Sequence, residues 1–482
     1  MNLLLSELSA ALPEIFILCA ACFILFIDIF ISDSRRIVTY FLVQLTLVIA
    51  FIIVLLQFKV HPDPIIIFSG HYILDGLAII SKLFIYLFSF FAFVYAREYI
   101  QSRKIARSEY YLLSLLAVFG MSIMASAYSF LTIYLGLELL SLALYSIVAM
   151  HKESHLAIEA AMKYFVLGGL ASGMLLYGMS LLYGASGGIR IDLLAQALQE
   201  QQNMVALMAL VFMLGGLMFK FGAVPFHMWV PDVYQGAPTS VTLFIASAPK
   251  IAAFVITMRI LVQALPSLHI NWEHILIVIS ILSMCFGNVL AIAQSNLKRM
   301  LAYSSIAHIG YTLLGILVGP IVPQGYSAAL FYISTYVLVA AGAFAIITIM
   351  SKDGIELDQL SDYRGLNARH PWLAFMMLLI LFSMAGVPPT VGFFAKLGLL
   401  QALVQANMVW LAVLALIFAL IGAYYYLRVV MFMYFEEPIE ASNTPIHVSS
   451  DVLMAISING SAALFLGVFP SFFIDLCRIS VG

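Results

Sequence analysis

Apolar residues run nearly unbroken along this chain, cut at intervals by short charged or Gly/Pro-rich breaks. Each run reaches roughly 18 residues or more, enough for a helix to cross a hydrocarbon core ~30 Å thick. The runs predict helices over 10–31, 37–57, 72–95, 109–126, 128–150, 157–184, 203–236, 239–265, 272–293, 299–319, 325–350, 371–403, 407–434 and 450–475. Continuous apolar runs, as opposed to alternating ten-residue segments, exclude a transmembrane barrel. The expected fold is therefore all-α and integral to the membrane, with about 14 transmembrane helices. The longest connections, around 351–370 and 435–449, are too short for a soluble domain, so 1–482 is expected to form a single membrane domain.

Two spans depart from the pattern. The seventh contains Phe221-Gly222-Ala223-Val224-Pro225, with Pro231 further on, and the twelfth contains Ala385-Gly386-Val387-Pro388-Pro389. Proline removes a backbone donor and clashes with the preceding turn, so both spans are expected to be discontinuous. Exposed backbone at that depth is tolerable only inside protein or beside water. The breaks lie five spans apart, an odd number, which predicts two inverted repeats: helices 4–8 over 109–265 and helices 9–13 over 272–434. Helices 1–3 (1–108) precede them and helix 14 (450–475) follows. Two independent proline kinks are the plainer alternative.

Charge sets the orientation. One set of loops carries Arg35, Arg36, Arg97, Arg103, Lys104, Arg107, Lys152, Lys298, Arg299, Lys352, Arg364 and Arg369, whereas the other carries little beyond Lys59, Arg190 and Arg478. The positive-inside rule makes the first set cytoplasmic and both termini periplasmic. The segment 1–13 lacks Lys and Arg and is followed by Glu14, so the first run is expected to stay as a helix. Hydrophobic residues are 64% and charged residues 10% of the chain, with a net charge of −2, which carries no message about nucleic acid. Cys19 and Cys22 form a C-x-x-C in an apolar run with no histidine nearby; packing is the expectation, and no metal site reads out.

Charges within the spans cost roughly 2.5–3.5 kcal/mol each and need a reason. Glu138 lies mid-way along helix 5, Lys250 along helix 8 and His308 along helix 10; Lys220 precedes the break of helix 7 and Lys396 follows that of helix 12. Lysines removed from water release protons more readily, and a nearby carboxylate reverses the effect. A Glu138–Lys220 pair that forms and separates would switch the lysine between holding and releasing a proton. Histidine passes protons near neutral pH, and Tyr303, Ser304, Ser305 and Tyr311 surround His308 in sequence with hydroxyls able to hold water. Glu159 and Lys163, spaced i,i+4, either stabilise their helix or assist the row. His227 either carries protons or satisfies the broken backbone. Lys82 is expected to be structural, snorkelling or facing a neighbouring protein, and Asp28 interfacial.

These residues resemble a known family. The stretch 220–239, KFGAVPFHMWVPDVYQGAPT, resembles the signature of the antiporter-like membrane subunits of respiratory complex I, a family that includes the large subunits of multisubunit cation/proton antiporters. The stretch 296–311, NLKRMLAYSSIAHIGY, is similar to its helix-10 motif, while 162–173 and Ala248-Pro249-Lys250 are similar to one branch of it. The resemblance spans nearly the whole chain. It implies that Glu138 modulates Lys220, that Lys250 and His308 relay protons, and that Lys396 links to the outward exit or the next subunit. Aligning Pro225 with Pro388 places Ser383 opposite Lys220, so equal roles for the two breaks are not implied.

The expected function is proton translocation from cytoplasm to periplasm across a bacterial inner membrane, within NADH:quinone oxidoreductase and driven by redox chemistry on other subunits. Flavin, iron–sulfur clusters and quinone are expected on those subunits and none on this chain. The partners expected are other complex I membrane subunits, neighbouring antiporter-like ones included, and lipid. The rivals are a cation/proton antiporter subunit exchanging Na⁺ or K⁺ for H⁺, a scaffold whose charges only lock helices, and a membrane redox enzyme.

Overall fold

The computed structural model describes residues 7–31, 37–60, 63–103, 107–200, 204–351, 355–438 and 448–481. Of the basic loop residues, Arg35, Arg36, Lys104 and Lys352 lie outside these, as does the side chain of Arg107. Among the described residues, 13 helices are long and apolar enough to cross a membrane, and two shorter apolar helices, Pro371–Ala385 and Val391–Gln405, lie end to end. The chain is a multi-pass membrane protein.

Burial sorts the helices into a centre and a rim. In the 18-residue apolar stretch of each span, 94% of residues are buried in Thr239–Ala264, Leu297–Val318 and Gln324–Met350, against 28% in Leu12–Phe30 and 33% in Val409–Phe435. The central three carry Lys250 and His308, so these ionisable groups sit where protein replaces lipid. Cys19 and Cys22, both free thiols, are exposed on the rim.

Local chemistry sets the helix ends. Ser129 and Thr132 form a capping box at Phe130–Val148, Ser154 caps His155–Ser186, and Asn296 caps Leu297–Val318. Each supplies an oxygen to an orphan backbone donor of the first turn. The two expected breaks are present and end alike. Met204–Phe221 stops at Gly222 (φ 76°) and Pro371–Ala385 at Gly386 (φ 85°), left-handed positions where glycine avoids the Cβ clash. Ala223 N–H then reaches back to Met218 C=O and Val387 N–H to Phe382 C=O, each at 2.9 Å. The chain resumes as Trp229–Gly236 after the first break and Val391–Gln405 after the second.

Other boundaries differ from expectation. The eighth span is interrupted too: Thr239–Ile245 ends before Ser247, Ala248–Thr257 begins with Pro249, and Met258–Ala264 is π-helical. A hairpin pairs Ile65–Ile67, expected as connection, with Tyr72–Leu74, which the expected third span (72–95) includes; the helix begins at Gly76. Amphipathic Ile191–Glu200 lies between the sixth and seventh spans. The last span ends at Val468, and Ser471–Val481 follows as a separate helix beyond Pro470.

Candidate functional site

The lysines of the central region are held by backbone. Lys250 Nζ donates to Phe221 C=O at 2.5 Å, and Lys396 Nζ donates to Met384 C=O (3.0 Å) and Ala385 C=O (2.8 Å). These carbonyls belong to the last turn before each break, where a continuous helix would have supplied the donors. The C-terminal end of a helix carries partial negative charge, so each half-helix offers its lysine both an acceptor and a field. Aromatic faces complete the settings, with Trp229 5.7 Å from Lys250 Nζ and Tyr311 5.6 Å from Lys396 Nζ.

Lys220 is arranged differently. Its Nζ donates to Ser141 Oγ at 2.7 Å. The Glu138–Lys220 ion pair is not formed here: Oε1 of Glu138 is buried without a hydrogen-bond partner. Ser141 lies one turn beyond Glu138 on the same helix, so carboxylate and hydroxyl present themselves side by side to the lysine. Lys220, Lys250, Ser141, Tyr164 and Trp229 line a cavity of ≈ 20 Å³, room for about one water.

A second cavity of ≈ 10 Å³ is lined by His308, Lys396, Tyr332, Tyr336 and Ser383. His308 is bonded through both ring nitrogens, Nδ1 to Tyr332 Oη (2.8 Å) and Nε2 to Tyr426 Oη (3.0 Å), and Tyr336 stacks on it at 4.7 Å. Tyr426 in turn bonds Ser304 Oγ. The hydroxyl shell expected from the tenth span is thus built largely by Tyr332, Tyr336 and Tyr426 of other spans. Of the expected four, Ser304 joins through Tyr426, Tyr311 donates to Ala415 C=O, and Tyr303 lies under the Arg299 guanidinium. Ser305 lies beside Tyr234 and beside Tyr336, which lines the second cavity. Lys396 also lines an outer groove of ≈ 910 Å³ beside the Val409–Phe435 helix.

The auxiliary residues fall elsewhere. Lys163 bonds Glu159 and also Asp232, each at 2.7 Å, and Asp232 bonds Arg299 at 2.8 Å, forming a partly exposed chain of charges apart from both cavities. His227 lies in the first break with Nδ1 buried and unpartnered. Asp28 accepts from Thr39 Oγ1 at 2.6 Å near the end of the first span.

Lys82 neither snorkels nor faces outward, correcting those two readings. It is fully buried and paired with Glu14 at 2.5 Å, with Tyr72 Oη bonding both and Ser122 donating to Glu14. Nearby, buried Arg259 makes a two-pronged pair with Asp75 (2.6 and 2.7 Å), and Asp75 lines a vestibule of ≈ 520 Å³ opening beside the C-terminal helix. The sequence pattern marks Glu14 only as an acid near the start of the first run and gives Asp75 no role; Arg259, a lone arginine inside an apolar run, is the available signal for this cluster.

Paired interrupted helices around buried lysines define a class, the antiporter-like membrane proteins. The chain belongs to the NADH:quinone oxidoreductase/Mrp antiporter transmembrane family, whose profile matches residues 127–422, and within it to the subunit N group. It is 53% identical to NADH-quinone oxidoreductase subunit N of Thioalkalivibrio sulfidiphilus over 96% of each chain, and 50% identical to that of Coxiella burnetii over 98% of each. A chain of respiratory complex I from Thermus thermophilus with bound aureothin superposes with TM-score 0.83 at 32% identity, covering 96% of this chain and 98% of that one. A chain of the Mrp complex from a Dietzia species shares the fold at TM-score 0.86 and 19% identity, covering 98% and 97%.

Proposed function

We propose that this chain carries protons from cytoplasm to periplasm across the bacterial inner membrane, as a non-redox subunit of NADH:quinone oxidoreductase. Flavin, iron–sulfur clusters and quinone belong to partner subunits, and both termini face the periplasm. The observation that carries this reading is the bonding of Lys250 and Lys396 to carbonyls freed by the two helix breaks. A carbonyl accepts a hydrogen bond from either form of an amine, so such a lysine gains or loses a proton without leaving a carboxylate stranded. The alike endings of the two breaks support the inverted-repeat reading, with 109–265 and 272–434 as its halves.

In the mechanism, Lys220 moves between Ser141 and Glu138. Pairing with Glu138 favours the protonated lysine, and return to Ser141 releases the proton toward Lys250 across their shared cavity. The hydroxyls of Tyr234, Ser305 and Tyr336 lie toward His308, which reaches Lys396 through the second cavity. Lys396 also faces the outer groove, where a neighbouring subunit or the exit would take over. Each proton moved works against ~2.3 kcal/mol per 100 mV.

The test is proton pumping per electron in the assembled complex carrying Lys220→Ala or Glu138→Ala. Loss of pumping with electron transfer retained supports the reading, and wild-type pumping in both removes the switch. Cation-dependent exchange by the reconstituted chain without redox partners would favour the antiporter alternative.

A further inference from the structure

The loop joining the eleventh span to the twelfth folds back over the face that bears the basic loops. Its backbone is tied to the tenth span, with Leu297 N–H bonding Asp358 C=O (2.6 Å) and Leu360 N–H bonding Ser295 C=O (2.9 Å). That fixes Glu356, whose carboxylate reaches two other spans. One oxygen accepts from Tyr99 Oη and pairs with Arg103 at 3.2 Å; the other accepts from Thr239 Oγ1 at 2.8 Å.

Thr239 is held at further points. Its N–H donates to Tyr99 Oη at 3.2 Å, and Lys298 Nζ bonds Ala237 C=O (3.0 Å) just before it. The Ala237–Thr239 turn is the apex of a hairpin of helices. One leg, Trp229–Gly236, brings Trp229 against Lys250 and is tied to the first half-helix by Trp229 Nε1 donating to Phe219 C=O (2.9 Å). The other leg begins as Thr239–Ile245 and, across the interruption at Ser247, continues into Ala248–Thr257, which carries Lys250, bonded to Phe221. Thr242 Oγ1 joins the legs through Tyr234 C=O at 2.9 Å. Whatever grips the apex therefore sets how the two legs close on Lys250.

We infer that Glu356 is a positioning residue for proton transfer at Lys250, acting through Thr239. This rests on the proton-carrying reading and extends it to a residue outside the row of buried charges. Burial alone would raise the Glu356 pKa, but Lys298 and Arg103, with the Tyr99 and Thr239 hydrogen bonds, hold it below its usual value. The carboxylate is thus charged at neutral pH and grips the turn through a charge-assisted hydrogen bond.

The experiment uses the intact complex in proteoliposomes, with Glu356→Gln, Thr239→Val and the double variant. Protons per electron are measured beside uncoupled NADH oxidation by quinone. A misplacement of about 1 Å can cost up to about 100-fold, so each single variant is expected to slow proton transfer through this chain at least about fivefold, read as loss of its share of protons per electron, with uncoupled turnover within about twofold of wild type. The double variant is expected to fall little further than the more severe single one, because both changes weaken the Glu356–Thr239 contact through which the effect reaches Lys250. Wild-type pumping in both single variants, or independent losses that multiply, would overturn the inference. So would failure of both to assemble, which would make the contact structural. Lys250→Ala in the same assay separates the two ideas: wild-type pumping there sinks the proton-carrying reading itself.

Discussion

At the first break, the freed carbonyl of Phe221 accepts from Lys250, which arrives from the next span; at the second, Met384 and Ala385 accept from Lys396, which lies on the far half of the same broken span. The first site also has a carboxylate, Glu138, near its neighbouring lysine Lys220, whereas the second is completed by an imidazole and tyrosine hydroxyls. One lysine thus reports the relative position of two spans, and the other closes a loop within one. Movement of the eighth span would open the first site and leave the second intact. On the proton-carrying reading proposed above, the first would be the driven site and the second the one that passes a proton on.

The hardest test of that contrast removes each lysine. Lys250→Met and Lys396→Met are both expected to slow proton transfer through this chain by at least about tenfold, equivalent to about 1.4 kcal/mol of barrier, read as loss of this chain's share of protons per electron. They should differ in what loosens, because each leaves buried carbonyls unsatisfied at a cost of about 1–3 kcal/mol per group. Hydrogen exchange should rise in both Met204–Gly236 and the eighth span for Lys250→Met, and only within 371–405 for Lys396→Met. Loosening of the eighth span by Lys396→Met would break the comparison. Glu138→Gln comes next: pumping should fall several-fold, about 1 kcal/mol of barrier. Thermal stability should hold, since Glu138 has no ion pair with Lys220 to lose in this state. A drop in melting temperature with pumping intact would make Glu138 structural.

Glycine substitutions sharpen the contrast on a smaller scale. Alanine at a left-handed position costs roughly 1–2 kcal/mol in either break. At Gly386 the added Cβ would stand 2.9 Å from Lys396 Cδ and 3.2 Å from its Nζ, whereas at Gly222 it would meet Val230 Cγ2 at 2.4 Å and stand 3.6 Å from Lys250 Nζ. Gly386→Ala should therefore disturb its lysine directly and lower pumping about twofold, roughly 0.4 kcal/mol. Gly222→Ala should act chiefly on stability, by displacing the short half-helix. Equal pumping losses at matched melting temperatures would count against the distinction.

Much of this arrangement is legible in the sequence. Apolar runs located the spans, Gly and Pro placed both breaks, and isolated lysines marked the groups within them. The partners of those lysines were not legible, because a carbonyl has the same identity at every residue and only the break reveals which ones are free. Nor were Tyr332, Tyr336 and Tyr426, which reach His308 from the eleventh and thirteenth spans. Asp75 and Arg259 meet across 184 positions, a pairing no local pattern encodes. The interruption of the eighth span did have a local signal in Pro249, which read as part of a motif and not as a boundary.

The smallest expected effect concerns acid. Glu356 clasps the apex of the first site, and its pKa is held below the usual glutamate value by Lys298 and Arg103 against the raising effect of burial. A carboxyl depressed in the folded state stabilises fully above its unfolded pKa of about 4.3, and that contribution is lost as pH falls through the lower folded value. Between pH 5 and 8, hydrogen exchange of Trp229–Ile245, corrected for its intrinsic rate and taken relative to Val391–Gln405, should therefore stay flat. Only below about pH 4.3 should the ratio rise, as the clasp protonates and the first site loosens ahead of the second. In Glu356→Gln that acid-induced rise should be absent, with the ratio already elevated at neutral pH. A rise centred between pH 5 and 8 in the wild-type chain that persists in Glu356→Gln would assign the loosening to another group. The first site's dependence on its clasp would then have to be given up.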